Sequence, residues 1–240
     1  MKLIRLGGRG GVPLIALHGG PGETHHVLRP HLDRLATPAR ELVFYDQRRE
    51  PVPWQQHVAD LESIRAELGV PTLDLLGFSW GATLALLYAA EHRAAVRQLI
   101  MLSVPGTPRA VDPAPAHATL AAELPTLDPA RRAFVLAIAP WLADPRAALR
   151  VSPVVRDDTV AKAVDASLGK VHHRALATNA KGPRALVVHG ELDPVPLDHA
   201  RAVADALGAT FLPIASSGHA PFVEQPEATL AALESFLGSA

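Results

Sequence analysis

Several segments of this chain are apolar without interruption, among them Leu14-Ile15-Ala16-Leu17 and Ala185-Leu186-Val187-Val188. A strand with one face in water alternates apolar with polar residues, whereas a strand covered on both faces does not need to. Runs of this kind therefore require a sheet with helices packed on both sides. Strands are predicted at 2–6, 13–18, 41–46, 72–77, 97–103, 184–189 and 209–214. Between them 54–68, 80–92, 197–207 and 226–237 carry helical spacing; Leu61, Ile64 and Leu68, for example, fall on one stripe. Strand followed by helix, repeated, is the pattern of an α/β fold with a doubly wound, mainly parallel sheet.

The alternation breaks between residues 105 and 181, a stretch rich in Ala and Pro with turn signals at Val104-Pro105-Gly106, Leu124-Pro125 and Asp144-Pro145. Helices are predicted there at 115–123, 128–142 and 157–178, the last with an interruption. The organisation expected is a core of 1–104 and 182–240 carrying a short helical cap insertion, 105–181. Gly7 to Gly11 is glycine-rich, but it has neither the Lys-Ser/Thr of a phosphate loop nor a G-x-G-x-x-G frame, and it reads as a hairpin turn.

Composition narrows the partners. The formal net charge is -1 and no long run of one sign occurs, which argues against nucleic acid or an anionic membrane surface. There is no cysteine, so thiol catalysis, disulfides and zinc–thiolate sites are excluded. No stretch reaches the ~18 apolar residues of a membrane span, and the N-terminus lacks the apolar stretch of a signal peptide. A soluble, cytoplasmic protein is the expectation.

The chemistry is suggested by Gly77-Phe78-Ser79-Trp80-Gly81, which lies between a predicted strand and a predicted helix. A serine between two glycines at that junction is the pattern of a nucleophile elbow. Serine is a weak nucleophile until a base takes its proton, and the base needs a third group to orient it. Asp193, just after the strand ending near His189, fits the acid, with Glu191 as its rival. His219, in Ser217-Gly218-His219-Ala220 after the last strand, fits the base. Charge developing on a carbonyl oxygen needs N–H donors. The amide of Trp80 and an amide of the loop His18-Gly19-Gly20-Pro21-Gly22, which follows an early strand, are suited to supply them.

Taken together, HGGPG, Tyr45-Asp46-Gln47-Arg48, GxSWG, Asp193 and His219 resemble the proline iminopeptidase group of the α/β-hydrolase fold. The resemblance covers roughly 1–104 and 182–240. It implies Ser79 as nucleophile, Asp193 and His219 as its triad partners, Gly20 and Trp80 as the oxyanion donors, and residues 105–181 as a cap over the site. An aspartate at the elbow would mark the dehalogenases and epoxide hydrolases of this fold, so Ser79 counts against both.

The sequence also departs from the group. Arg48 continues into Arg49-Glu50-Pro51 instead of a glycine-rich segment, and only one strand precedes 13–18. Asp46 and Arg48 read as structural. Members of the group recognise a free amine with carboxylates, several of them cap glutamates, whereas this cap has the single glutamate Glu123. Glu23 and Glu224, outside the cap, are the substitutes expected to face a substrate, and Glu224 is equally placed to favour a helix dipole. Phe78, Phe134, Trp141 and Phe222 are candidates for an apolar acyl pocket.

His172 and His173 are adjacent, and adjacent helical residues point apart, so no metal site is expected. The expectation is a cofactor-free serine hydrolase acting on a small ester, lactone or amide, its size limited by a short cap. The alternatives are an iminopeptidase-type aminopeptidase, a cofactor-free perhydrolase or lyase, and a non-hydrolytic ligand-binding protein of the same fold.

Overall fold

The computed structural model describes residues 2–154, 156–169 and 172–238. In chain order the elements are β1 (Leu3–Leu6), β2 (Leu14–Leu17), β3 (Leu42–Tyr45), α1 (Trp54–Leu68), β4 (Leu73–Phe78), α2 (Trp80–Glu91), β5 (Val96–Leu102), α3 (Ala114–Thr119), α4 (Pro129–Ile138), α5 (Asp158–Leu168), α6 (His173–Asn179), β6 (Arg184–Gly190), α7 (Leu197–Leu207), β7 (Thr210–Ile214), α8 (Pro221–Glu224) and α9 (Pro226–Gly238). Short 3-10 turns join several of them, at His25–Leu28 and Pro145–Arg150 for instance.

The strands form one seven-stranded sheet in the order β1-β3-β2-β4-β5-β6-β7. Pairing is parallel throughout except at the edge, where β1 runs antiparallel to β3. The order of winding reverses between β2 and β4, and crevices at such switch points, beyond the carboxyl ends of the strands, are where open α/β sheets bind ligands. The apolar runs behave as their composition requires. Leu14 and Ala16 enter one buried cluster with Leu42, Phe44 and residues of α9. Ile15 and Leu17 enter another, on the opposite face, with residues of α1, α2 and α7.

The segment Gly7 to Gly11 is not a hairpin. β1 pairs with β3, not with β2, so the chain must pass beneath the end of β3 before entering β2. The glycines serve close packing: the Gly8 N–H donates to the Thr37 carbonyl at 2.9 Å, and a Cβ on Gly8 would land on the carbonyl of Pro38.

Residues 105–181 contain no strand among those described, and their helices pack in two ways. Val160 and Val164 of α5 and Ala177 of α6 join the main cluster beneath α1, α2 and α7. Ala116 of α3 and Val135 of α4 build a small cluster of their own with Leu120, Ala139 and Ala148 from the turns that follow them. The helix predicted over 157–178 is the pair α5 and α6, and positions 170 and 171 between them lie outside the described residues.

The elbow depends on its glycines through space as well as backbone freedom. A Cβ on Gly81 would meet the carbonyl oxygens of Leu17 and His18, and one on Gly77 would meet the backbone of Gly81 and Ala82. The backbone of β2 has no room to retreat, because it is central in the sheet. Gly81→Ala is expected to cost about 3 kcal/mol, lowering the melting temperature by roughly 6–12 °C. A thermal melt unchanged from wild type would show that the elbow can repack around a side chain.

Candidate active site

Each element contributes to the site at its carboxyl end. Ser79 follows β4 and precedes α2 with φ 52° and ψ -119°. This is a left-handed conformation that a residue with a Cβ adopts only under constraint. Asp193 lies in the turn after β6, and His219 in the turn after β7. The three side chains form one hydrogen-bonded row. His219 Nδ1 donates to Asp193 Oδ2 at 2.8 Å, and Ser79 Oγ donates to His219 Nε2 at 3.1 Å.

The tautomer follows from the partners. A carboxylate can only accept, so Nδ1 carries the proton and the Nε2 lone pair faces the serine hydroxyl. Asp193 is fully buried, and its other oxygen accepts from the Val195 N–H at 2.9 Å. His189, buried behind it, donates from Nε2 to the Val195 carbonyl at 3.0 Å. Burial pushes the His189 ring below its ordinary value, so it stays neutral there. The rival acid Glu191 is exposed and takes no part in the row.

The loop His18 to Gly22 lies beside the elbow: a Cβ on Gly19 would come within 3.3 Å of Ser79 Cβ. Trp80 is the first residue of α2, where a helix leaves its N–H groups without intrahelical partners. One side chain, Gln47, links these two segments. Its Nε2 donates to the His18 carbonyl at 2.9 Å, and its Oε1 accepts from Trp80 Nε1 at 2.6 Å. The Gln47 N–H also donates to His18 Nε2 at 3.1 Å. His18 is therefore the tautomer with its proton on Nδ1, which donates to the Gly19 carbonyl at 2.8 Å. Burial lowers the His18 pKa to about 4, so this arrangement stays neutral.

Gln47 was not among the expected site residues. It sits in Tyr45-Asp46-Gln47-Arg48, but nothing in the motif shows that its side chain reaches both loops. Its neighbours do hold structure together. Asp46 Oδ1 accepts from the N–H and the Nδ1 of His25, and Arg48 makes a two-point pair with Asp60 at 2.9 and 2.7 Å.

A cavity of about 1410 Å³ opens over Ser79 and His219, and Gly20, Trp80, Glu23, Phe78, Phe134, Trp141 and Phe222 all line it. The volume exceeds the ~300–1,000 Å³ usual for small-molecule pockets, so a short cap does not make a small site. The reason is local: Ala130, Ala133 and Ala137 of α4 face the cavity at helical spacing and fill little of it. Phe78 packs edge-on against Phe222 at 5.0 Å, and the His219 ring lies 5.4 Å from Phe78 and 5.2 Å from Trp141. Elsewhere on the wall Thr83 Oγ1 and His173 Nε2 are hydrogen-bonded at 2.9 Å, with His199 edge-on to His173. His172 and His173 line the cavity, and among the described residues no group of three or more His, Cys, Asp or Glu side chains is arranged to hold a metal ion.

The two glutamates expected to face a substrate separate. The Glu23 carboxyl borders the cavity against Gly20 and has no hydrogen-bond partner among the described residues. Burial raises its pKa to about 7, against the opposing pull of Arg156 and His219. Glu224 is not among the cavity-lining residues: its carboxylate is taken up by backbone N–H groups at Ala143, Asp144, Gly218 and Ala220. The cap glutamate Glu123 is likewise engaged, with Arg146 at 3.0 Å.

Glu23 gives a pH test. The folded protein keeps its proton up to about pH 7, while the unfolded chain loses it near the ordinary value of 4.5. Between these values the folded state binds more protons, so this group's contribution to stability is lost as pH rises. Glu23→Gln is expected to melt about 7 °C above wild type at pH 8, with the difference falling away as pH drops from 7 to 4.5. An equal difference at both pH values would show that Glu23 does not titrate in that window.

The family model of the α/β-hydrolase fold matches residues 12–226. A proline iminopeptidase of Lactiplantibacillus plantarum is 39% identical over 102 residues, 38% of this chain and 36% of that enzyme. The matching stretch thus spans about a third of the curated relative's length. An esterase from Thermogutta terrifontis superposes with a TM-score of 0.75 at 18% identity, covering 99% of this chain and 93% of that one. A proline iminopeptidase-related protein from Thermus thermophilus superposes with a TM-score of 0.74 at 24% identity, covering 98% and 92%. No helix among the described residues is long and apolar enough to cross a membrane.

Proposed function

The chain belongs to the α/β-hydrolase fold family, and on that premise we propose that it is a cofactor-free serine hydrolase acting on a small-molecule ester, lactone or amide through an acyl-enzyme. The observation that carries this reading is the row Ser79–His219–Asp193 at the floor of the cavity, with both hydrogen bonds at ordinary lengths. His219 Nε2 takes the Ser79 proton as Oγ attacks the carbonyl carbon, and Asp193 stabilises the imidazolium that forms. The oxyanion rests on the N–H groups of Gly20 and Trp80. His219 then protonates the leaving group, and a water activated by the same nitrogen releases the acyl group. Within 105–181, α3 and α4 act as the cap, with α4 forming the roof over Ser79, while α5 and α6 pack into the main core.

A second reading has an observation of its own. An aminopeptidase of the iminopeptidase type needs a carboxylate to meet a free amine. Among the described residues the carboxyl groups lining the cavity are Glu23 and Asp165, and Glu23 is the one beside the oxyanion loop. An ester or lactone is preferred here because Glu123, the only cap glutamate, is spent on Arg146 outside the cavity.

The deciding experiment compares p-nitrophenyl esters of increasing acyl length with prolyl and other aminoacyl arylamides, on wild type and Ser79→Ala. Ester turnover that disappears with Ser79 supports the first reading. Arylamide turnover that falls in Glu23→Gln moves the assignment to the second. Ester turnover surviving in Ser79→Ala sinks both.

A further inference from the structure

We propose that Glu224 is the positioning residue of His219: one carboxylate grips the backbone on both sides of the imidazole and ties it to the segment after α4. The inference rests on the reading of Ser79, His219 and Asp193 as the reacting row. His219 stands in a turn between β7 and α8 and belongs to neither. A base in such a turn needs an outside constraint if its Nε2 is to stay within reach of Ser79 Oγ.

Glu224 supplies that constraint through both oxygens. Its Oε2 accepts from the N–H of Gly218 at 2.8 Å, more loosely from the N–H of Ala220 at 3.4 Å, and from the Ser217 hydroxyl at 3.4 Å. These are the residues that flank His219. Its Oε1 accepts from the N–H groups of Ala143 and Asp144 at 2.6 and 3.2 Å. The N–H of His219 itself donates to the Trp141 carbonyl at 2.9 Å.

The two segments are pressed together as well as bonded. A Cβ on Gly218 would come within 2.5 Å of the Trp141 carbonyl oxygen and 2.7 Å of the Ala143 nitrogen. The Trp141 ring lies 5.2 Å from the His219 ring on the cavity side. Glu224 thus joins the base, the aromatic wall and the segment after α4 into one unit, without lining the cavity itself.

The chemistry of the group matters. An ionised carboxylate is acceptor-only and can take several donors at once. An amide in its place would turn an NH₂ toward at least one of the backbone N–H groups and leave it unpaired. The turn would then relax, and a displacement of about 1 Å at a reacting group can cost on the order of 10²-fold in rate.

The test is Glu224→Gln, assayed on an ester that wild type hydrolyses and by the rate at which a fluorophosphonate labels Ser79. The expected result is a kcat lower by about 10- to 100-fold with KM changed less than about twofold, and labelling slowed in the same proportion. Should Glu224→Gln fail to fold, Glu224→Asp is read in the same way. It keeps the charge but sets the oxygens back by one methylene, and a smaller loss in kcat alone is expected. A wild-type kcat in the variant that folds would overturn the proposal. So would a raised KM with kcat unchanged, which would make Glu224 a substrate contact. The parent reading fails differently: if wild type itself left Ser79 unlabelled, the hydrolase assignment would fall and this proposal with it.

Discussion

Ser79→Ala is expected to lower kcat/KM toward the best ester by about 10⁴- to 10⁶-fold, with substrate affinity nearly unchanged. The hydroxyl is the only atom of the row that forms a bond to substrate, and an alanine leaves the cavity walls and oxyanion donors in place. The residual rate is what those donors and substrate binding supply. A companion variant separates chemistry from backbone strain. Ser79 sits at φ 52° and ψ -119°, a conformation that costs about 1–3 kcal/mol for a residue with a Cβ. Ser79→Gly is therefore expected to be as inactive as Ser79→Ala but to melt about 3 °C higher. Equal melting temperatures would mean that the elbow stores no strain, and turnover within tenfold of wild type in either variant would remove Ser79 from the mechanism.

Asp193→Asn should be nearly as damaging, with kcat down by about 10⁴-fold at neutral pH. The buried carboxylate accepts from His219 Nδ1 at 2.8 Å and from the Val195 N–H at 2.9 Å. With Oδ1 of the asparagine kept on Val195, its NH₂ faces His219 and must donate. The imidazole then carries its proton on Nε2 and can no longer take one from Ser79. The shape of the site is preserved, so KM and thermal stability should move little. A loss of less than tenfold would show that the tautomer of His219 is not set by Asp193.

The sheet was legible because its strands are buried on both faces, and a short apolar run with no alternation suits a strand between two helical layers better than anything else. All seven predicted strands occur, with ends within two residues of expectation. The gathering of Ser79, Asp193 and His219 follows from the same reasoning, since each stands just beyond the carboxyl end of a parallel strand and those ends share one edge. What could not be read depended on contacts between distant backbones. The glycine-rich link after β1 permits either neighbour, and the pairing with β3 is decided by the 37–40 loop against which Gly7 and Gly8 pack. Glu224 looked like a substrate contact because it lies five residues after His219. Its carboxylate is instead shared between the backbone around His219 and the N–H groups of Ala143 and Asp144, which the fold of another segment brings to it. The size of the cavity was hidden for the same reason: a short insertion suggests a small site, yet a helix that presents alanines inward leaves it open.

Whether Ser79 is the acyl-transfer nucleophile is decided by mass spectrometry of the protein after reaction with a fluorophosphonate. A single adduct is expected on the peptide containing Ser79, formed in step with loss of ester turnover, slowed in Asp193→Asn and absent in Ser79→Ala. Full ester turnover by a protein whose Ser79 stays unmodified, or an adduct that appears equally in Ser79→Ala, would contradict it.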